Sequence, residues 1–170
     1  MRQAPLILAI LLLAGLASRP LRGQTIVLGG SPWVVSLDAT DVLSQEAGND
    51  LASELLSDPA QSTFSINYGF FYELFVNYAW SVQVRATVGG LPTGVGLAVL
   101  RTDNGTPFLV NGGISGGNIN FIPLTTSNQA FFQGNRGRLN VGIQYRLSGL
   151  SIPNLTPSFS TTVTYTITSP

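Results

Sequence analysis

Apolar residues alternate with small or polar residues through the middle of the chain. Every even-numbered residue from Phe64 to Val84 is apolar, and most odd-numbered residues between them are small or polar. Successive side chains of a strand point to opposite faces of the sheet, whereas a helix would spread these residues around its circumference. The pattern therefore predicts antiparallel sheet with one buried face and a single apolar interior.

This run is too long for one strand, because a strand rises about 3.3 Å per residue. We expect strands over 62–76 and 80–88, with a hairpin turn at 77–79, because Asn77 tolerates the left-handed backbone of a tight turn. Asn104-Gly105 predicts another hairpin at 103–106. Further strands are predicted at 95–100, 139–147 and 161–168. Short strands separated by Gly-rich turns predict an all-β fold, an Ig-like antiparallel β-sandwich.

The N-terminus predicts a cleaved secretory signal peptide over residues 1–23. A short basic start precedes an apolar run from Leu6 to Leu16, which is too short to cross a bilayer as a mature helix. Small residues favour cleavage after Ala17, with cleavage after Gly23 as the alternative, and an uncleaved membrane anchor is the remaining interpretation. Residues 24–170 are expected to form a single domain with no membrane span.

The composition excludes several kinds of chemistry. The chain has no histidine, cysteine or lysine, so His-based triads, thiol nucleophiles, Schiff bases and most zinc sites cannot be built. Residues 24–170 carry five arginines against eight acids without a basic cluster, which argues against nucleic-acid binding. Asp38, Asp41 and Asp50 are weak calcium candidates because no Asp-x-Asp-x-Asp-Gly loop is present. We expect no metal, no cofactor and no enzyme activity, with a carboxylate-based hydrolase as a minor alternative.

Two segments are candidate interaction sites. Phe71, Glu73 and Phe75 fall on the face opposite the buried one, where two rings beside a carboxylate could stack on a sugar or dock a neighbouring subunit. Alternatively, the segment 38–61 covers them, or this region of the chain is buried on both faces. Thr25, Ile26, Val27 and Leu28 form a short apolar segment outside the predicted sandwich. Such a segment could serve as a donor strand that pairs with an open sheet edge of a partner.

Two stretches carry a resemblance to known proteins. The segment from Phe75 to Ala86 and the closing segment from Ser160 to Thr168 resemble bacterial exported β-sandwich surface proteins of the fimbrial and spore-coat-U-like type. The resemblance implies a non-catalytic structural or adhesion protein that is secreted, at the cell surface or periplasmic. Its partners would be other surface proteins or further copies of itself, as in a fimbrial-type subunit. The alternative is a carbohydrate-binding module that binds glycans through an exposed aromatic sheet face.

Overall fold

The computed structural model describes residues 25–35, 54–87, 91–151 and 159–169. The predicted signal peptide lies outside these ranges, as do the calcium candidates Asp38, Asp41 and Asp50. Within the described ranges the chain forms mostly strands: β1 (Thr25–Gly30), β2 (Glu54–Leu56), β3 (Ser62–Asn67), α1 (Phe70–Phe75), β4 (Ala79–Ala86), β5 (Gly96–Arg101), β6 (Thr106–Pro107), β7 (Ile114–Ser115), β8 (Ile122–Pro123), β9 (Gln129–Asn135), β10 (Arg138–Ser148) and β11 (Val163–Thr168).

These strands form two antiparallel sheets. The first sheet has the order β1-β3-β10-β5-β8, and the second sheet has the order β11-β4-β9-β7. The long strand β10 organises the first sheet: β2 and β3 lie along one side of it, and β5 and β6 lie along the other. The predicted strands at 95–100, 139–147 and 161–168 are confirmed as β5, β10 and β11 to within two residues.

The two sheets pack face to face around an aromatic core. The Phe64 ring of the first sheet lies 6.2 Å from Trp80 and 5.5 Å from Phe132 of the second sheet, measured between ring centroids. The apolar even-numbered residues at the two ends of the alternating run are almost fully buried, as predicted: Phe64, Ile66, Tyr68, Trp80, Val82 and Val84. An apolar interior between two antiparallel sheets is the architecture that the pattern predicts.

The predicted strand over 62–76 is wrong beyond Asn67. Gly69 has a φ of 81° and lies just before the short helix α1. This left-handed conformation suits glycine and turns the chain out of the sheet. The hairpin predicted at 77–79 is also wrong, because β3 and β4 belong to different sheets and α1 crosses between them. Six residues are fewer than two helical turns, so a period of two does not exclude a helix of this length.

The hairpin predicted at 103–106 is absent as well. Arg101 of β5 pairs with Ile143 of β10, and Thr106 of β6 pairs with Leu139 of the same strand. The chain therefore keeps its direction on either side of a short excursion. The Asp103 carboxylate accepts hydrogen bonds from the backbone N–H groups of Gly105, at 2.7 Å, and Gly142, at 3.0 Å. Asn-Gly here marks a loop between two collinear strands.

Candidate functional site

Helix α1 presents an apolar surface at one end of the sandwich, where β3 ends and β4 begins. Four exposed side chains of the helix and that of the residue after it form this surface, which we call the α1 patch: Phe70, Phe71, Leu74, Phe75 and Val76. Phe71 is 74% exposed and Phe75 is 79% exposed. The rings of Phe70 and Phe71 pack edge to face with centroids 5.7 Å apart. The prediction placed Phe71 and Phe75 on an exposed face, and both are exposed, although on a helix.

The predicted grouping of Glu73 with these two rings is wrong. Glu73 is 1% exposed, and its Oε1 atom accepts a hydrogen bond from the Tyr68 backbone N–H at 3.4 Å. Residues four apart on a helix share a face, whereas a residue two positions away points in roughly the opposite direction. The helix therefore brings Phe71 and Phe75 together and directs the carboxylate inward, away from them.

Several contacts hold α1 against the sandwich. The Arg136 guanidinium donates to the Glu73 backbone carbonyl, and the Trp80 indole N–H donates to the Arg136 carbonyl at 2.8 Å. The Arg136 backbone N–H donates to the Tyr78 carbonyl at 2.9 Å. The Tyr72 ring packs on Tyr78 with centroids 5.9 Å apart. These contacts fix the orientation of α1, so the α1 patch is presented by a helix that is anchored to the sandwich.

The predicted donor segment lies inside the first sheet. Residues from Thr25 to Gly30 form β1, which pairs with β3 over its whole length, from Thr25 opposite Asn67 to Gly30 opposite Ser62. The prediction that this segment lies outside the sandwich is therefore wrong. The strand forms an edge of the sheet, and Ile26, Val27 and Leu28 remain about half exposed. Pairing of Thr25, Ile26, Val27 and Leu28 with another subunit stays a prediction.

A second feature, which the sequence analysis missed, lies at the opposite end of the sandwich from α1. It is an open cavity of about 1000 Å³ between the two sheets, which we call the end cleft. Strands β3, β5 and β11 begin beside it and β10 ends beside it. Its apolar walls include Trp33, Leu97, Tyr145, Leu147, Phe159 and Tyr165. The Trp33 and Tyr145 rings are nearly parallel, at 16°, with centroids 6.4 Å apart.

Hydroxyl groups are linked in one wall of the end cleft. The Tyr145 hydroxyl donates to Ser62 Oγ at 3.0 Å and lies 3.0 Å from the Tyr165 hydroxyl. Burial, with a smaller contribution from Tyr145, raises the pKa of Tyr165 well above its usual value. The Tyr165 hydroxyl therefore stays neutral at ordinary pH. Only the alternation of Tyr165 with threonines in β11 signalled that this ring would face the interior.

Two buried arginines serve the loops and not an open site. Arg101 donates to the carbonyls of Gly116, at 2.8 Å, and Asp103, at 2.7 Å, and burial lowers its pKa. Arg138 donates to the Asn111 side chain at 3.0 Å and to the Gly112 carbonyl. Across the described ranges, no group of three or more acidic, histidine or cysteine side chains could hold a metal ion.

Comparisons with known proteins found no match: no protein-family model, no curated protein and no solved structure matches this chain. No helix within the described part of the chain is long and apolar enough to cross a membrane. Function is therefore inferred from the surfaces of the molecule itself, namely the α1 patch, the edge strand β1 and the end cleft.

Proposed function

We propose that this is a non-catalytic secreted or cell-surface protein with an Ig-like sandwich and a structural or adhesive role. It acts through protein–protein contacts at the α1 patch, and the contact we propose is between copies of the chain. The observation that carries the proposal is the patch itself: five neighbouring apolar side chains project from an element that Arg136 and Trp80 hold in place. Contiguous exposed apolar surface of this kind is typical of interaction sites.

The size of the α1 patch sets the strength of the contact. Complete burial of one phenylalanine contributes about 1.5–3 kcal/mol, and Phe71 and Phe75 are 74% and 79% exposed. The two rings together contribute roughly 2–5 kcal/mol, against an association cost of roughly 4–15 kcal/mol. A single patch therefore supports only a weak contact, and durable attachment needs several contacts in parallel. That requirement suits a protein repeated along a surface.

The carbohydrate-binding alternative has less support at this position. Sugar recognition combines an aromatic platform with polar groups that bond to hydroxyls, and the sequence offered Glu73 for that purpose. This carboxylate is 1% exposed and faces Tyr68. The other exposed side chains of α1, Phe70 and Leu74, are apolar. An apolar protein surface is therefore the better complement for the α1 patch.

Two parts of the proposal rest on the sequence: that the protein is not an enzyme, and that it is exported from the cell. The chain offers no histidine, cysteine or lysine for nucleophilic or general acid–base chemistry. The apolar N-terminal run has the pattern of a secretory signal, and the resemblance to exported bacterial surface proteins agrees with it. Amino-terminal sequencing of the secreted chain would distinguish cleavage after Ala17 from cleavage after Gly23.

Light scattering after size exclusion tests the contact between copies. The chain from residue 24 onward should gain mass with concentration between about 10 μM and 1 mM, because the contact is weak. The double variant Phe71→Ser/Phe75→Ser should stay monomeric. Ile119→Ser is the matched control, since Ile119 is 86% exposed but lies outside the patch. A wild-type protein that is monomeric throughout would contradict the proposal. A mass increase that survives in the double variant would point instead to exchange of β1 between copies.

A further inference from the structure

The end cleft has the size and composition of a small-molecule site. Ligand pockets in proteins usually measure about 300–1000 Å³ and combine apolar walls with a few converging polar groups. The end cleft measures about 1000 Å³ and has aromatic side chains on several sides. We propose that it binds an uncharged small molecule with a flat apolar body and one hydrogen-bonding group.

Among the described residues, no charged side chain lines the end cleft, and this decides the charge of the ligand. Every described residue that lines it is apolar, a glycine, or a neutral serine, threonine or tyrosine. A charged ligand would lose its hydration there without gaining an ionic partner, which costs several kcal/mol. A neutral ligand loses far less. The described lining therefore selects against anions and cations.

The aromatic walls favour a flat apolar body. Trp33 and Tyr145 present nearly parallel rings, and Phe159 and Tyr165 add further aromatic surface. Aromatic rings gain both from burial and from offset or edge-to-face packing with another ring, the packing being worth about 0.5–1.5 kcal/mol beyond burial. Leu97 and Leu147, which are almost fully buried, form an apolar floor.

The linked hydroxyls supply the polar contact. Each tyrosine hydroxyl has a single proton, and that of Tyr145 is donated to Ser62 Oγ. The Tyr165 hydroxyl must then be the donor in its contact with Tyr145. Two hydrogen bonds to a ligand can still form: the Ser62 hydroxyl can donate its proton, and the Tyr165 oxygen can accept. A ligand carbonyl fits the first, and a ligand hydroxyl or amine fits the second.

This proposal is independent of the contact at the α1 patch, because the two surfaces lie at opposite ends of the sandwich. Strand β3 runs from Ser62, beside the end cleft, to Asn67, next to α1. Variants at one end therefore leave the other end intact. The α1 patch also provides a control, since its exposed phenylalanines are the obvious competing site for any apolar probe.

Two fluorescent probes with the same aromatic skeleton test the proposal. Phenylnaphthylamine is neutral and carries one N–H donor. Anilinonaphthalene sulfonate has the same aromatic skeleton with an added sulfonate group, which carries a negative charge. We expect saturable binding of the neutral probe, one molecule per chain, and at least about tenfold weaker binding of the sulfonate. Trp33→Ala should weaken binding of the neutral probe by about tenfold or more, because the substitution removes an aromatic wall. Tyr165→Phe should weaken it about threefold to tenfold through loss of one acceptor.

The double variant Phe71→Ala/Phe75→Ala should bind the neutral probe as the wild type does. Trp33→Phe keeps an aromatic wall and should retain most of the binding, so it is the conservative control for Trp33→Ala. If the alanine variant does not fold, the loss of binding in Tyr165→Phe carries the test. Far-ultraviolet circular dichroism checks folding in each case. Three results would each overturn the proposal: no saturable binding of the neutral probe, equal or tighter binding of the sulfonate, or loss of binding in Phe71→Ala/Phe75→Ala but not in the Trp33 and Tyr165 variants.

Discussion

Gly134 in β9 lies against the indole of Trp80, its cross-strand neighbour in β4. A methyl group added there would lie 2.5 Å from Trp80 Cζ2, 2.8 Å from Trp80 Cη2 and 2.8 Å from the Gly113 carbonyl oxygen. Trp80 is 2% exposed and its indole N–H donates to the Arg136 carbonyl at 2.8 Å. The indole is therefore confined on its other sides. We predict that Gly134→Ala forces Trp80 to move and destabilises the fold.

The expected magnitude follows from three effects. Replacing glycine by alanine at an ordinary φ stabilises a protein by about 0.4–1 kcal/mol through the unfolded chain. Overpacking a filled core costs about 1–3 kcal/mol, and weakening the Trp80 hydrogen bond adds about 0.5–1.5 kcal/mol. Gly134→Ala should therefore lower the free energy of unfolding by about 0.5–4 kcal/mol. Gly96→Ala is the matched control, because the nearest atom to its new methyl would be the Ser148 hydroxyl oxygen, at 3.2 Å, which can rotate away.

Urea denaturation at equilibrium measures both variants, since the midpoint and slope give the free energy of unfolding. Gly96→Ala should match or slightly exceed the wild type. The indole N–H resonance of Trp80 reports the displacement directly, and Trp33→Phe assigns it because the chain has two tryptophans. Equal stability of Gly134→Ala and Gly96→Ala, with an unchanged Trp80 resonance, would refute the claim that the indole requires glycine at position 134.

Two further predictions concern the loop after β5 and the buried tyrosines. Asp103→Ala should lower the free energy of unfolding by about 1–3 kcal/mol, because the N–H groups of Gly105 and Gly142 lose their acceptor. Asp103→Asn keeps an acceptor oxygen and should lose less stability in urea denaturation. A larger loss in Asp103→Asn than in Asp103→Ala would contradict this account. Burial raises the pKa of Tyr165 and of Tyr68 above the usual 10.0, so the folded chain keeps protons that the unfolded chain releases. Stability should be intact below about pH 10 and fall above it, with Tyr165 contributing a loss of about 1.4 kcal/mol per pH unit. Thermal melting between about pH 9 and 11 should show a shallower decline for Tyr165→Phe, and an identical decline would argue against a raised Tyr165 pKa.

The candidate sites were predictable only in part. Exposure of Phe71 and Phe75 could be inferred from their odd-numbered positions, but the same logic placed Glu73 beside them. In a strand, residues 71, 73 and 75 would share one face. In a helix, residue 73 points roughly away from residues 71 and 75, so the secondary structure of six residues decided which side chains form the site. The end cleft left almost no local signal. Its walls come from Trp33, Tyr145 and Tyr165, which are far apart in the chain and meet only in the folded protein.

The sequence by itself determined which side chains of β3 and β4 are buried. Alternation in these two strands depends only on the two-residue period of a strand, which is a local property of the backbone, so the apolar interior and the two antiparallel sheets could be predicted without knowing which strands are neighbours.

Only the tertiary structure decided how the strands are paired. Alternation assigns faces but no partners, so it could not show that β3 and β4 lie in different sheets, that β5 and β6 follow the same side of β10, or that β1 pairs with β3. Pairing depends on contacts between residues distant in sequence, where a two-residue period is satisfied equally well by several neighbours. The end cleft and the orientation of α1 follow from that pairing.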